Sequence, residues 1–397
     1  MGNPHVIAIP YPAQGHVLPL MEFALSLVNQ GFKVTFVNTE FNHKRVMKAL
    51  SEQDNVHDLI HLVSVPDGLE PWEDRNDLAK LSTAMVEVMP GKLQELIQKI
   101  KDNDDDDDDE ITCIIADGSM GWALEIAKNM GIKRAAFWPA SAALLGLVRS
   151  IPKLIADGII NNDGRVMTNQ MIQLSPTMPP MNTSNLVWAC IGDLPTQKII
   201  FDFIVGNNKS LELANWMVCN STYELEPAAF TLFPDISPIG PLLASTRLGK
   251  SPGYFWPEDS TCLKWLNQQQ PHSVIYVAFG SFTIFDKKQF RELALGLELT
   301  NMPFLWVVRP DLTSETNDDD VYPKGYIERV GLGFNRDDNG IICREEIKNR
   351  VEQLLGDESF KAKALDLKEK AMNGIKKSGD SHKSFNNFVE WTKGKEK

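Results

Sequence analysis

Residues 5–31, HVIAIPYPAQGHVLPLMEFALSLVNQG, constrain the fold more than any other stretch. Residues 5–10 form a short apolar run ending in proline, the pattern of a strand buried on both faces of a parallel sheet. A polar turn follows over residues 11–15. Leu18, Met21, Leu25 and Val28 then recur at helical spacing, and Gly31 stands where a helix C-cap belongs. Residues 33–38 (KVTFVN) supply the next strand. Strand, helix and strand in this order predict a βα unit with a right-handed crossover.

The alternation continues. Residues 61–65 read as a third strand. Residues 78–101 read as a long helix, with Pro90-Gly91 as the point where it would break. Residues 111–117 (ITCIIAD) are a fourth strand, 121–130 a helix stopped by Gly131, and 134–138 a fifth strand. Pro139-Ala140-Ser141 then opens another apolar helix. Residues 161–185, rich in Asn, Pro, Thr and Met, read as surface loop. Residues 198–215 are helical and 216–220 are a strand. A polar, Gly- and Pro-containing stretch over 244–253 marks a domain boundary. The expectation is a first α/β domain over 1–240, a linker over 241–256, and a second domain over 257–397. In the second, 262–268 (helix), 273–279 (strand), 287–299 (helix) and 304–309 (strand) repeat the pattern. Only helices follow, at 344–355, 359–375 and 384–392. Two strands make a small, poorly covered sheet, so the second domain is expected to be incomplete.

Bulk properties exclude several classes. The net charge is −13, but residues 102–110 (DNDDDDDDE) alone carry eight negative charges. Such a block cannot pack and reads as a solvated loop. Consecutive acids on an extended chain alternate sides, so it is not read as a metal site. Without it the chain is mildly acidic, and nucleic acid is not an expected partner. The five cysteines are odd in number and widely spaced, with no CxxC, which suggests a reducing compartment. No signal peptide and no apolar run of membrane-spanning length is evident. The expected state is a soluble, cytoplasmic monomer.

Few residues stand out for chemistry. His16 lies at the turn from the first strand into its helix, on the sheet edge where open α/β folds bind ligands. A neutral imidazole there can take a proton from a hydroxyl; equally, it can merely cap the helix. Asp117 ends the fourth strand on the same edge. It can cap the next helix, and it can also hold the far nitrogen of His16. Gly280-Ser281 closes the first strand of the second half, where backbone amides and a hydroxyl suit a phosphate, although such a pair is commonly just a turn. There is no GxGxxG, Walker A loop, nucleophile elbow or zinc spacing.

The opening segment PHVIAIPYPAQGHVLPLMEFALSLVNQGFKVTFVNTEFNHKRV closely resembles plant UDP-dependent glycosyltransferases that glucosylate small molecules. So do IIADGSMGWALEIAKNMGI, AAFWPASAA, CNSTYELEP, IGPL, SVIYVAFGSF and FLWVVRP, in that order. The details look most like the 83A subgroup of family 1. The resemblance implies a GT-B fold: two doubly wound Rossmann-like α/β domains facing across a cleft, acceptor on the first and nucleotide sugar on the second. It implies His16 as general base, Asp117 as its supporting carboxylate, and Gly280 and Ser281 at the donor phosphate. The implied reaction is inverting transfer of a hexose from UDP-glucose to a hydroxyl of a small acceptor, with no metal and no bound cofactor. Candidates for the acceptor-pocket wall are Met120, Trp138 and Asp193 in the GDLP segment.

One departure is large. The family carries a box in its second domain with a WxPQ start, an HCGWNS centre and a DQ end, which stacks on uracil and holds the diphosphate and sugar. This chain has none of it. After Gly280 its only histidine is His382, and its only tryptophans are Trp306 and Trp391. GYIERV runs straight into GLGFNRDDNG, which resembles the family's sequence downstream of the box, so the junction of a truncated second domain is expected near Gly331. The alternative expectation is therefore a catalytically inactive relative that at most binds small molecules.

Overall fold

A computed structural model of the chain describes residues 3–50, 60–103, 110–243, 253–256, 261–280, 283, 285–307 and 341–394. The chain begins β1 (His5–Ile9), α1 (Gln14–Val28), β2 (Lys33–Thr39), α2 (Glu40–Ala49), β3 (Ile60–Val65), α3 (Leu78–Asn103) and β4 (Ile111–Asp117). A single 3-10 turn, Gly118–Met120, leads into α4 (Trp122–Asn129), β5 (Lys133–Trp138), α5 (Ala142–Arg149) and α6 (Ile151–Ala156). A small antiparallel hairpin, β6 (Met171–Ile172) and β7 (Met181–Asn182), precedes α7 (Leu194–Leu211), β8 (Trp216–Cys219), α8 (Pro227–Leu232) and β9 (Ile236–Pro238).

Seven of these strands form one parallel sheet in the order β3-β2-β1-β4-β5-β8-β9. Successive residues of each strand alternate between two cores. Val6, Ala8, Val34, Phe36, Cys113 and Ile115 face α1, while Ile7, Ile9, Val37, Ile114 and Ala116 face α3 and α4. Each strand is apolar on both faces because helices cover both. At the end of α1, Gly31 takes φ +84°, the left-handed conformation that an L side chain resists. The order reverses between β1 and β4: the chain builds outward to β3 on one side, then returns to add β4 on the other. That reversal is where an open sheet offers a crevice.

Three details differ from the sequence reading. Residues 40–49 are helical, though only Asn42 and Val46 of α2 are buried, too sparse a stripe to announce a helix. α3 runs unbroken through Pro90. Its stripe Met85, Met89, Leu93 and Ile97 is almost wholly buried. Each such side chain contributes roughly 1.5–3 kcal/mol, against about 3 kcal/mol for an internal proline, so packing wins. Residues 161–185 are more than surface loop: they contain the hairpin and the fully buried Thr183.

The remaining elements are α9 (Thr261–Leu266), β10 (Ile275–Ala278), α10 (Lys287–Leu299), β11 (Phe304–Val307), α11 (Arg344–Gly356), α12 (Glu358–Gly374) and α13 (Asp380–Thr392). Among the described residues the second sheet has two parallel strands, β10 and β11, around a small core of Phe285, Leu293, Leu297 and Ile347. The expected junction at Gly331 lies outside the described residues. α13, placed by the sequence reading with the second domain, packs on the first. Phe388, fully buried, sits 5.4 Å from Phe23 and 5.9 Å from Trp216, and Lys133 Nζ donates to the Trp391 carbonyl at 2.8 Å. Apolar residues 385, 388, 389 and 391 fill one stripe that the β8 end of the first sheet would otherwise expose. Phe388→Ala is expected to cost about 3–5 kcal/mol, read as a lower urea midpoint for the transition of the first domain. An unchanged midpoint would show that α13 is not part of that folding unit.

In the second unit, Glu292 of α10 grips the start of α11. Arg344 donates to it from its backbone N and Nε, each at 2.9 Å, and from Nη2. The hydrogen bonds from Arg344 hold the Glu292 carboxyl down at about 2, against burial, which opposes them. A lowered carboxyl contributes stability that is present above its unfolded value of 4.5 and is lost as pH falls towards 2. Thermal melts between those limits should therefore lose less stability in Glu292→Gln than in the unaltered chain. Parallel pH profiles for the two would refute this linkage.

Candidate active site

The two residues singled out on the sheet edge, separated by 101 positions in sequence, meet in space. His16 is the third residue of α1 and Asp117 the last of β4, the strand hydrogen-bonded to β1. Nδ1–H of His16 donates to Oδ2 of Asp117 at 2.8 Å. Asp117 is fully buried, whereas the His16 side chain is 30% exposed. The other carboxyl oxygen, Oδ1, accepts from the Ser119 backbone N at 2.8 Å. Asp117 is thus both cap and histidine partner, and the two readings of it are one arrangement. With Nδ1 occupied as donor, Nε2 is the nitrogen left with a lone pair for a ligand proton.

His16 lines a cavity of about 190 Å³ with Gly118, Trp138, Leu144, Phe203 and Asn207 among its walls. β5 supplies Trp138 at its end, and Nε1 of the indole donates to the Ser141 carbonyl at 3.0 Å. The ring lies against Gly118, where a Cβ would come within 2.6 Å of Trp138 Cε3, so only glycine leaves room for it. α7 supplies Phe203 and Asn207. Oδ1 of Asn207 accepts from Gly121 N at 2.7 Å, which ties α7 to the turn after Asp117.

The structure brings His16, Asp117 and Trp138 together, but two other expected wall residues lie elsewhere. Met120 is fully buried in the core beneath the sheet edge, because the 3-10 turn after Asp117 rotates it inward. Asp193 caps α7, its Oδ1 accepting from Thr196 N at 2.9 Å, and hydrogen bonding to the Thr196 side chain first and to its backbone N second holds the carboxyl below the usual range. Gly280 follows β10 with φ +72°; Ser281 lies outside the described residues.

Sequence reasoning missed Tyr11 and Phe203. The Tyr11 ring lies 5.0 Å from the imidazole and 6.3 Å from Phe203, packing one side of His16. Burial pushes the Tyr11 phenol up to about 12, so it stays neutral beside the pair. The signal for Tyr11 was its place in the turn before His16; Phe203 gave none, since α7 reads as an ordinary amphipathic helix.

No protein-family model matches the chain. UDP-glycosyltransferase 83A1 of Arabidopsis thaliana is 41% identical, with 99% of this chain and 97% of that protein covered. The alignment runs over 453 positions, more than the 397 residues present here, so that relative has residues at positions where this chain has none. Linamarin synthase 1 of Manihot esculenta is 32% identical over 88% of this chain and 74% of its own length. Among solved structures, a UDP-glucosyltransferase from Polygonum tinctorium superimposes with a TM-score of 0.76 at 22% identity, covering 99% of each chain. Os79 from O. sativa, in complex with UDP, gives 0.75 at 19% identity, covering 98% of this chain and all of that one. The fold is of the GT-B type, and the chain belongs to the plant UDP-glycosyltransferases.

Proposed function

We propose that the first domain is the acceptor half of an inverting hexosyltransferase and binds a small hydroxylated molecule with its hydroxyl at His16. The observation that carries this is the His16–Asp117 pair at the topological switch point, opening on an apolar cavity. The cavity is smaller than the roughly 300–1,000 Å³ of drug-sized sites, which favours a small phenol or alcohol. In the transfer step Nε2 takes the acceptor proton and the acceptor oxygen forms a bond to the anomeric carbon. The bond from that carbon to the diphosphate oxygen breaks on the opposite face, and UDP, the leaving group of the expected donor UDP-glucose, departs with the electron pair. Asp117 fixes the tautomer and stabilises the imidazolium that results. Ser281 and Gly280 would face the donor phosphate.

A second reading concerns turnover, and a sequence observation favours it. The second half of the chain lacks the family's donor box. Its candidate substitutes are engaged elsewhere: Trp306 packs tilted against Phe290 at 4.6 Å, while Trp391 packs under the first sheet on α13, the helix that also carries His382. The 453-position alignment supports a missing internal segment. In this reading the chain binds acceptor, in the cytoplasm and as a monomer, without transferring sugar to it. None of its five cysteines, all among the described residues, forms a disulfide. Among the described residues no helix is long and apolar enough to cross a membrane.

The acceptor reading is tested without any donor. 4-Nitrophenol titrated with the chain, at a pH below the phenol's own pKa, should gain phenolate absorbance on binding as His16 takes its proton. His16→Ala should bind the phenol without the gain. Binding with no gain in the unaltered chain, or a gain that survives His16→Ala, would refute the assignment.

A further inference from the structure

Hydrogen bonding alone holds His16 at one corner. Nδ1 donates to Asp117, and Nε2 makes no hydrogen bond among the described residues. One such bond leaves an imidazole free to swing about Cα–Cβ and Cβ–Cγ, and with 30% of the side chain exposed the packing around it is partial. A base must keep its lone pair where the acceptor proton will lie, because small misplacements cost rate steeply. A second contact is needed to fix the ring.

Tyr11 supplies that contact. Its ring centre lies 5.0 Å from that of His16, with the planes tilted by 52°, and the residue is buried. Phe203 backs the phenol ring at 6.3 Å. The backbone under Tyr11 is stiff for local reasons. Pro10 and Pro12 flank it, and the residue before a proline is confined to extended conformations. The Tyr11 carbonyl accepts from Ala13 N at 2.8 Å, and the Ala13 carbonyl accepts from His16 N at 2.9 Å. From α2, Asn42 Nδ2 donates to the Pro12 carbonyl at 2.8 Å. Tyr11 and His16 are thus anchored to one braced turn. Tyr11 also lines a separate cavity of about 300 Å³, which His16 does not line. Shortening the Tyr11 side chain would therefore give the imidazole room to swing off Asp117.

We propose that Tyr11 is a positioning residue for proton transfer: its ring holds the His16 imidazole in the orientation that keeps Nδ1 on Asp117 and turns Nε2 to the cavity. No hydrogen bond joins the phenol hydroxyl to His16 among the described residues, so the ring and not the hydroxyl carries the effect. An aromatic pair of this kind shifts an equilibrium by roughly two- to tenfold. Tyr11 is not in the wall of the His16 cavity, so its loss should move the proton step and not acceptor binding. The inference rests on the reading of His16 as the base, but the hold on the imidazole can be measured with no acceptor present.

Proton NMR of the full chain should show a downfield signal for the His16 Nδ1–H that is absent from His16→Ala. Tyr11→Leu should speed exchange of that proton with water about three- to tenfold, and Tyr11→Phe, which keeps the ring, should restore the slow rate. With 4-nitrophenol, Tyr11→Leu should bind within about twofold of the unaltered chain yet lose about three- to tenfold of the phenolate gain, a split that a mere loss of stability does not produce. Tyr11→Phe should keep the gain. Where Tyr11→Leu does not fold, Phe203→Leu removes the ring behind Tyr11 and should speed the exchange in the same direction. Unchanged exchange in the folded variant overturns the inference. So does a Tyr11→Phe that matches Tyr11→Leu, and so does the absence of the His16 signal from the unaltered chain, which would show a ring that nothing holds. A phenolate gain that survives Tyr11→Leu overturns the role of Tyr11 and spares His16 as base. Exchange that depends on Tyr11, with no phenolate gain in the unaltered chain, removes His16 as base and leaves the hold of Tyr11 on its ring standing.

Discussion

Supplied with UDP-glucose and a phenolic acceptor, the purified chain is expected to form glucoside at least about a thousandfold more slowly than a version repaired with the donor segment of its 83A1-type relative, inserted after Gly331. Holding two reactants together in register accounts for roughly 7–11 kcal/mol of a bimolecular barrier, and each 1.36 kcal/mol is a factor of ten in rate. Even a fraction of the first figure covers the predicted loss. On the proposed reading the acceptor side needs no repair, since the His16–Asp117 bond is formed and the cavity beside it is open. On the second reading, what the chain lacks is a second reactant held in line. Among the described residues, the neighbourhood of β10 and β11 gives little to hold it with. The second sheet shows two strands among the described residues, and Trp306 is packed against Phe290. UDP release and glucoside formation, measured in both chains, decide the matter. Equal turnover would mean that the unrepaired second half builds a donor site from other residues.

The pair on which that repair depends was legible in the sequence because its cause is local. Apolar runs of strand length end at Pro10 and Asp117, so the turns leaving both strands lie on one sheet edge. Which strands are neighbours was not legible: β1 pairs with β4 only because the chain reverses its winding there. Met120 was misplaced because a single 3-10 turn rotates the chain after Asp117, and periodicity does not register one turn. The docking of α13 was half legible. Its aromatic stripe announces a buried face, but nothing local says that the partner is a sheet begun at His5. Motif resemblance does not by itself give a role. Much of CNSTYELEP is structural: Glu226 accepts from the backbone N of Ala142 and Ala143 and from Ser221 Oγ, capping α5, and Asn220 Oδ1 accepts from Leu242 N.

Asp117→Asn, in the repaired chain, is expected to lower kcat by about 10²–10⁴ with a small change in KM, the range assigned to a positioned general base and its partner. The argument is one of acceptor counting. Asp117 satisfies two donors, Ser119 N on Oδ1 and His16 Nδ1 on Oδ2, both at 2.8 Å and both inside a fully buried group. Asparagine has one acceptor oxygen. If that oxygen stays with Ser119, the amide NH₂ faces His16, and Nδ1 must give up its proton to accept from it. The proton then sits on Nε2, and the base is blocked. If the oxygen turns to His16, the cap is lost and a buried amide N–H is left unmet, at about 1–3 kcal/mol. The first outcome removes proton transfer while leaving the cavity shape intact, so acceptor affinity should hold while the phenolate gain with 4-nitrophenol disappears. The second lowers the thermal midpoint of the first domain and spares part of the gain. A variant that keeps kcat, the phenolate gain and the melting midpoint together would show that Asp117 neither sets the His16 tautomer nor caps the turn.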